Sequence, residues 1–313
     1  MKLQQLRYLH EVCKSGLNLS EAALRLHTSQ PGISKQIRLL EDELGVQILV
    51  RNGKRVVDVT EPGRLVVDIA ARILRETDNL KQVGREFGAQ GTGALTIATT
   101  HTQARYALPP VVQRFVQRYP RVRLSLREGS PQQIAALMLD GEADIAIITE
   151  AYDQYEDLTT LPCYQWNRCI ITPRGHALLK RDPVTLEDVA RHPLITYDFA
   201  FTGDSPIKRA FDARGLKPNV ALTAVDADVI KTYVGLGLGV GILARMAVDP
   251  ARDTELQIVD AAHLFEASTT RIGLRRSVYL RGYAFDFIEM FAPHLTRRVV
   301  EATLRGQGSD YEL

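Results

Sequence analysis

From Glu61 to about Ala89 apolar residues recur every three or four positions, and at "AQGTG" (89–93) that recurrence stops. Val66, Ile69, Ile73, Leu80, Val83 and Phe87 form one narrow seam, interrupted by Glu76, on a helix that opens at Pro62. A seam of that width predicts a partner helix. Two glycines among small polar residues mark 89–93 as a linker. The chain must therefore be read in two parts.

The part before the long helix reads as three helices and a hairpin. Leu3 to Ser15 carries apolar residues at 3, 6, 9 and 12 and ends at Gly16. A second, short helix opens at Asn18 with Glu21 three positions on, the spacing of a capping box. In "HTSQPGISKQIRLLEDELG" Ser29 is the N-cap of the third, Pro31 falls in its first turn and Gly45 stops it. "ILVRNGKRVVDVT" then alternates around Asn52-Gly53, a hairpin turn signal.

Beyond residue 94 the pattern changes to short apolar strands near 94–99, 122–128, 143–149, 168–172, 193–197, 220–225, 238–243, 256–259 and 269–275. Helical patterns near 103–119, 131–140, 205–214, 226–236 and 281–304 separate them. This alternation predicts an α/β region with a mostly parallel sheet and helices on both faces. About 200 residues of it fit two small lobes.

Several classes are excluded by what the sequence lacks. No run reaches the roughly 18 apolar residues of a membrane span, and Met1-Lys2-Leu3-Gln4-Gln5 is no secretion signal, so a cytoplasmic protein is expected. Cys13, Cys163 and Cys169 form no CxxC pair and stand near no histidine at ligand spacing, which predicts free thiols and no metal site. There is no nucleophile elbow, Walker loop or dinucleotide fingerprint in context, so no catalytic residues and no cofactor are expected. "GLGLGVGI" (235–242) lacks the Lys-Ser/Thr of a phosphate loop and reads as close strand packing.

Charge gives the first functional signal. The net charge of +2 is uninformative, but on the third helix Ile33, Ile37, Leu40 and Leu44 share one face while Pro31, Lys35 and Arg38 lie opposite, flanked by Gln30 and Ser34. Glu41-Asp42-Glu43 come only at its far end. Three helices with a tight turn before the third make a helix-turn-helix, whose last helix enters the major groove of duplex DNA. Ser29, Gln30, Pro31, Ser34, Lys35 and Arg38 are its candidate DNA contacts, and Arg51, Lys54 and Arg55 on the hairpin make a wing against the backbone or minor groove.

"LSEAALRLHTSQPGISKQIRLLEDELGVQIL" followed by "TEPG" resembles the N-terminal domain of LysR-type transcriptional regulators. "IATTHTQARYALP", "LPCYQWNR", "HPLITY", "DADVIKTYVGLGLGVGI" and "FAPHLTR" resemble the CysB branch, the regulators of cysteine biosynthesis and sulfur assimilation. The resemblance implies a winged helix-turn-helix over 1–60, a dimerising linker helix over 61–89 and a hinge at 90–93. It then implies a two-lobed α/β effector domain like the periplasmic solute-binding proteins, with lobe I at 94–164 and 267–304, lobe II at 165–266 and a tail at 305–313. The chain would cross between lobes near 162–167 and 264–269. A transcriptional activator follows, a homodimer pairing into a tetramer, with promoter DNA and RNA polymerase as partners and acetylserine, sulfate or thiosulfate as effector.

The effector segment is "TTHTQARYALPP" (99–110), a strand-to-helix corner where Thr99, Thr100, Thr102 and Gln103 bring donors to the carboxyl end of a strand. An oxyanion fits there without arginine. The resemblance carries an effector role onto Thr100, Thr102, Gln103, Thr149 and Thr202, while His101 is expected to be packed or bonded to backbone. Arg105 and Tyr106 either line or cover the cleft, and Asp226, Asp228 and Lys231 read as an N-cap followed by surface charges. Asp204 stands where many members of the branch have arginine, which disfavours a dianion and leaves room for a zwitterion, a monoanion or a sulfonate. Two other classes, an enzyme and an exported solute-binding protein, lack their sequence signatures.

Overall fold

The computed structural model describes residues 1–53, 55–88, 92–149, 155, 157–203, 205–276 and 278–306. It divides into two compact units, Met1–Gly88 and Ala89–Leu313.

In the first unit α1 (Leu3–Lys14), α2 (Leu19–Arg25) and α3 (Gln30–Leu44) pack together. A helix of seven residues such as α2 is not stable alone, so packing must hold it. Leu9, Ile33, Ile37 and Leu40 are fully buried, and at about 1.5–3 kcal/mol each they supply that support. Asn18 caps α2 by accepting from Ser20 and Glu21 N–H, but Glu21 pairs with Arg25 at 2.7 Å instead of closing a reciprocal box. Ser29 caps α3 through Gly32 N–H at 3.3 Å, and Gly45 ends it with φ 68°, a conformation that needs glycine. The wing is an antiparallel hairpin of β1 (Leu49–Asn52) and β2 (Arg55–Val59).

The helix α4 (Glu61–Gly88) departs from the single seam. Val66, Val67, Ala70, Ile73 and Leu74 pack into this unit's own core, whereas Leu65, Ile69 and Leu80 are exposed. Leu44 of α3 is also exposed, and Glu41 takes the buried place beside Leu40.

The second unit holds two five-stranded sheets. In chain order its strands are β3 (Gly93–Thr99), β4 (Val122–Glu128), β5 (Ile145–Ile148), β6 (Leu158–Trp166), β7 (Arg168–Pro173), β8 (Leu194–Tyr197), β9 (Val220–Ala224), β10 (Val240–Ala244), β11 (Leu256–Asp260) and β12 (Ser268–Arg275). Its helices are α5 (Pro109–Arg118), α6 (Pro131–Leu139), α7 (Leu186–Ala190), α8 (Pro206–Ala213), α9 (Ala227–Gly235), α10 (Gly282–Phe291) and α11 (Arg297–Leu304). Lobe I has the order β4-β3-β5-β12-β6 and lobe II the order β11-β7-β10-β8-β9. The chain passes from lobe I to lobe II between Trp166 and Arg168 and returns between Asp260 and Ser268.

Each sheet is mixed, which corrects the mostly parallel expectation. β3 is parallel to β4 and β5, and β8 to β9 and β10, but the strands flanking both crossings run antiparallel to their neighbours. β6 escaped the sequence reading because Pro162 interrupts it. Proline is tolerated there because β6 is an edge strand and its pairing with β12 shifts register near that point. The expected helix 281–304 is two helices, parted around Pro293. Gly241 packs as the glycine run predicts, since a Cβ there would lie 2.6 Å from Ile171. Among the described residues no helix is long and apolar enough to cross a membrane.

Candidate DNA-reading surface and effector cleft

On α3 the side chains of Pro31, Lys35 and Arg38 are exposed, as is Ser29 at its cap, with Gln30 and Ser34 half-buried beside them. Arg55 on β2 is exposed as well. Among the described residues no carboxylate pairs with Lys35, Arg38 or Arg55. Lys54 lies outside the described residues.

Arg51 is a correction. Its guanidinium turns inward to Glu41 at 2.8 Å, and Glu41 also accepts the N–H groups of Ile48 (2.9 Å) and Leu49 (3.0 Å). A carboxylate only 8% exposed must be paired, so Arg51 spends its Nη1 on joining the wing to α3 instead of pointing outward with the other wing cations. The sequence places Arg51 beside two other wing cations and gives no sign that the first of three consecutive acids is buried.

The second unit builds one cleft from the carboxyl ends of six parallel strands, three from each lobe. Thr100 and His101 follow β3, Glu128 ends β4 and Thr149 follows β5. Tyr197 and Asp198 lie at the end of β8, Val225 and Asp226 follow β9, and Ala244 ends β10. This is where open α/β sheets place ligands. The cavity measures about 840 Å³. The first turns of α6 and α8, capped by Ser130 and Ser205, lie on its wall and bring unpaired N–H groups and a partial positive charge.

All five expected effector residues, Thr100, Thr102, Gln103, Thr149 and Thr202, line this cavity. They do not contribute alike. Thr102 shares a 3.3 Å hydrogen bond with the Tyr197 hydroxyl across the lobes, and burial pushes the Tyr197 phenol up to about 12, so it stays a neutral hydroxyl. The Thr202 hydroxyl donates to the Phe199 carbonyl at 3.0 Å and keeps its acceptor side open. Gln103 is buried, its amide donating to Thr270 (3.0 Å) and accepting from Tyr164 (2.7 Å), while Trp166 also donates to Thr270 (3.1 Å). Gln103 therefore ties the cleft to the crossing strands β6 and β12. Thr99 is spent on the Ile147 carbonyl at 3.1 Å and does not reach the cleft.

Three features bring charge into a pocket whose expected threonines and glutamine carry none. His101 lines the cleft, its Nδ1 2.8 Å from Glu128. Arg168 lines it too, nearly buried, its guanidinium 5.2 Å from the Trp166 ring and donating to the Glu266 carbonyl at 3.3 Å. Nothing in the spacing around Arg168 signals this, because a strand-start arginine shows in the sequence only as the first residue of an apolar run, not which cavity it faces. Asp198 and Asp226 bring negative charge, and Asp204 lies outside the described residues.

Beside the cavity Asp228 of α9 bridges the lobes. It accepts from the Tyr106 hydroxyl at 2.7 Å and pairs with Arg105 and, at 3.0 Å, with Lys231. Burial acts to raise the Asp228 pKa, but the hydrogen bonds from Tyr106 and Lys231 and the charges of Lys231 and Arg105 outweigh it and hold the carboxyl below its ordinary value. Arg105 and Tyr106 thus belong to an interlobe tie. Burial also pushes the thiols up, Cys13 to about 11 and Cys163 and Cys169 to about 12, which makes them poor nucleophiles.

Comparison with known proteins decides the family. Residues 3–64 match the model of the bacterial regulatory helix-turn-helix protein, lysR family, and residues 88–296 match the LysR substrate binding domain. The chain belongs to the LysR family. It is 54% identical to the HTH-type transcriptional regulator SsuR of Burkholderia cenocepacia over 97% of this chain and 99% of that one. It is 50% identical to the HTH-type transcriptional regulator CysB of the same species over the whole of both chains. The crystal structure of the cofactor-binding domain of the Cbl transcriptional regulator superposes with a TM-score of 0.65 at 42% identity, covering 69% of this chain and 94% of that one. This LysR protein is a transcriptional regulator of the CysB branch, as its motifs indicated, and its relatives are regulators, not enzymes.

Proposed function

We propose that this LysR regulator acts in the cytoplasm as an activator of genes for cysteine biosynthesis and sulfur assimilation, controlled by a small sulfur-pathway metabolite bound between the lobes. The reading rests on one observation, the cavity lined together by Thr100, Thr102, Gln103, Thr149 and Thr202 where the first turns of α6 and α8 meet it. On this reading Ser29, Gln30, Pro31, Ser34, Lys35, Arg38 and Arg55 contact promoter DNA, and α4 pairs two copies through its exposed Leu65, Ile69 and Leu80. Dimers pair into tetramers and engage RNA polymerase.

Control by an organic sulfonate is the second reading. It is favoured by a cavity of about 840 Å³, far more than one tetrahedral oxyanion fills, and by the 54% identity to the regulator named SsuR. A thermal-shift screen with sulfate, thiosulfate, acetylserine and short sulfonates separates the two, because a ligand that binds only the native state raises the melting temperature. Stabilisation by at least one of them is expected. No shift with any would contradict a sulfur-metabolite cleft.

A further inference from the structure

Hydrogen bonds from a single turn of chain join lobe I to lobe II. Gln103–Ala107 form a π-helical turn, in which the Leu108 N–H donates to the Gln103 carbonyl at 3.0 Å. Turns of this kind are rare and recur at functional sites. Thr102, at its start, meets the Tyr197 hydroxyl at 3.3 Å on the cavity wall. Tyr106, four residues on and outside the cavity lining, donates its hydroxyl to Asp228 of α9 at 2.7 Å. Gln103 fixes the turn between them to Thr270 of the crossing strand β12.

The two interlobe bonds are not equivalent. At 3.3 Å the Thr102–Tyr197 pair is long for a bond between hydroxyls, and it occupies a group that an effector in the cleft would take. The Tyr106 bond is short and charge-assisted. Its receptor is held in place by lobe II itself: Lys231, only 12% exposed, pairs with Asp228 at 3.0 Å and with Asp253 at 3.1 Å. The Tyr106 ring, although it belongs to lobe I, packs against the lobe II core, with the Lys231 ammonium 5.2 Å from its centroid. Arg105 also pairs with Asp228, but its side chain is more than half exposed, and an ion pair so solvated is weak.

We infer that Tyr106 is a positioning residue for the effector: its hydroxyl keeps the π-turn on α9, and so keeps the lobes in their binding arrangement, when the effector takes Thr102 from Tyr197. The inference rests on the cleft being the effector site and deepens that reading. Donor and acceptor stand on different lobes, so the bond forms only while the lobes lie together. The apparent affinity of a ligand scales with the fraction of molecules already in the competent arrangement, and a tie confined to that arrangement strengthens binding without touching the ligand. It follows that Tyr106 acts on every ligand of the cleft by the same factor, whereas a residue that touched the ligand would favour one over another.

Isothermal titration of the full chain with sulfate, thiosulfate and acetylserine tests this in the wild type and in Tyr106→Phe, which keeps the ring in the lobe II core and loses only the hydroxyl. Each probe that the wild type binds is expected to bind the variant about tenfold more weakly, the loss that one hydrogen bond to a charged acceptor gives. The ratios between probes should stay within about twofold. Asp228→Ala, which removes the acceptor from the other lobe, should give the same uniform loss or a larger one. Unchanged affinities in Tyr106→Phe, even with a lowered melting temperature, would make the bond merely structural and overturn the inference while leaving the cleft standing. A loss confined to one probe among several that bind would make Tyr106 a ligand contact and overturn it as well. If the wild type binds none of the three, the effector reading of the cleft falls and this inference with it.

Discussion

The DNA-reading helix and the effector cleft use polar side chains in opposite ways. On α3 and the wing, Lys35, Arg38 and Arg55 are exposed and no described carboxylate holds them. In the cleft, Gln103 is bonded at both ends, Thr102 to Tyr197, and Asp228 to Tyr106, Arg105 and Lys231. Binding a polyanion draws its free energy from charge neutralisation and counterion release, so its cations can stay solvated until DNA arrives. A small ligand has to be met by groups already oriented, so most of the cleft's polar atoms orient one another. Each region holds one exception, Arg51 bonded inward among free cations and His101 Nε2 unbonded among satisfied partners.

The largest expected effect belongs to the solvated surface. Raising salt from 50 to 200 mM should lower the affinity of the protein for promoter DNA by about 10³-fold if six or so phosphates are contacted, read by fluorescence anisotropy. A flat salt response would mean that the cations of α3 are only a solvated face. The exception in that region should behave as core. Glu41→Ala leaves Arg51 and two backbone N–H groups buried without an acceptor and is expected to destabilise the first unit by about 3–5 kcal/mol, read from urea midpoints.

Smaller effects separate the two regions further. Arg38→Ala should weaken DNA binding by about 1–3 kcal/mol, with effector affinity unchanged in calorimetry. Thr102→Val removes a cleft hydroxyl and its tie to Tyr197 and should weaken effector binding by about 1 kcal/mol or somewhat more. Asp228 gives the smallest effect and a definite sign. Its carboxyl is held below its ordinary value, so its contribution is complete above the unfolded carboxylate range, near about 4, and is lost as pH falls through the lower folded value. Asp228→Asn should therefore lower stability slightly at pH 7, where that contribution is complete, and flatten part of the acid limb of the stability profile. An unchanged acid limb would mean that the interlobe tie contributes nothing to folding.

How much of this was legible in the sequence follows from what each feature depends on. Caps at Ser29 and Gly45, the 61–88 helix and the strands β3, β4, β7 and β9 are set by local periodicity and turn chemistry, so they could be read directly. β6 could not, because Pro162 is compatible with a strand only at an edge, and edge position is a property of the assembled sheet. Thr100, Thr102, Thr149 and Thr202 came from family motifs, and their convergence needed six strand ends brought together. The inward turn of Arg51, the double bonding of Gln103 and the entry of His101 and Arg168 into the cleft all depend on contacts across many residues of sequence. No local pattern carries those.

The central claim is that the cleft of the second unit controls the DNA-reading surface of the first. Promoter-duplex anisotropy, measured with and without a stabilising metabolite for the wild type, Arg38→Ala and Thr102→Val, tests it most directly. The account predicts that Arg38→Ala binds DNA weakly but keeps its proportional response to effector, and that Thr102→Val binds DNA normally without effector but loses most of the response. Equal loss of DNA affinity and of response in both variants would contradict it.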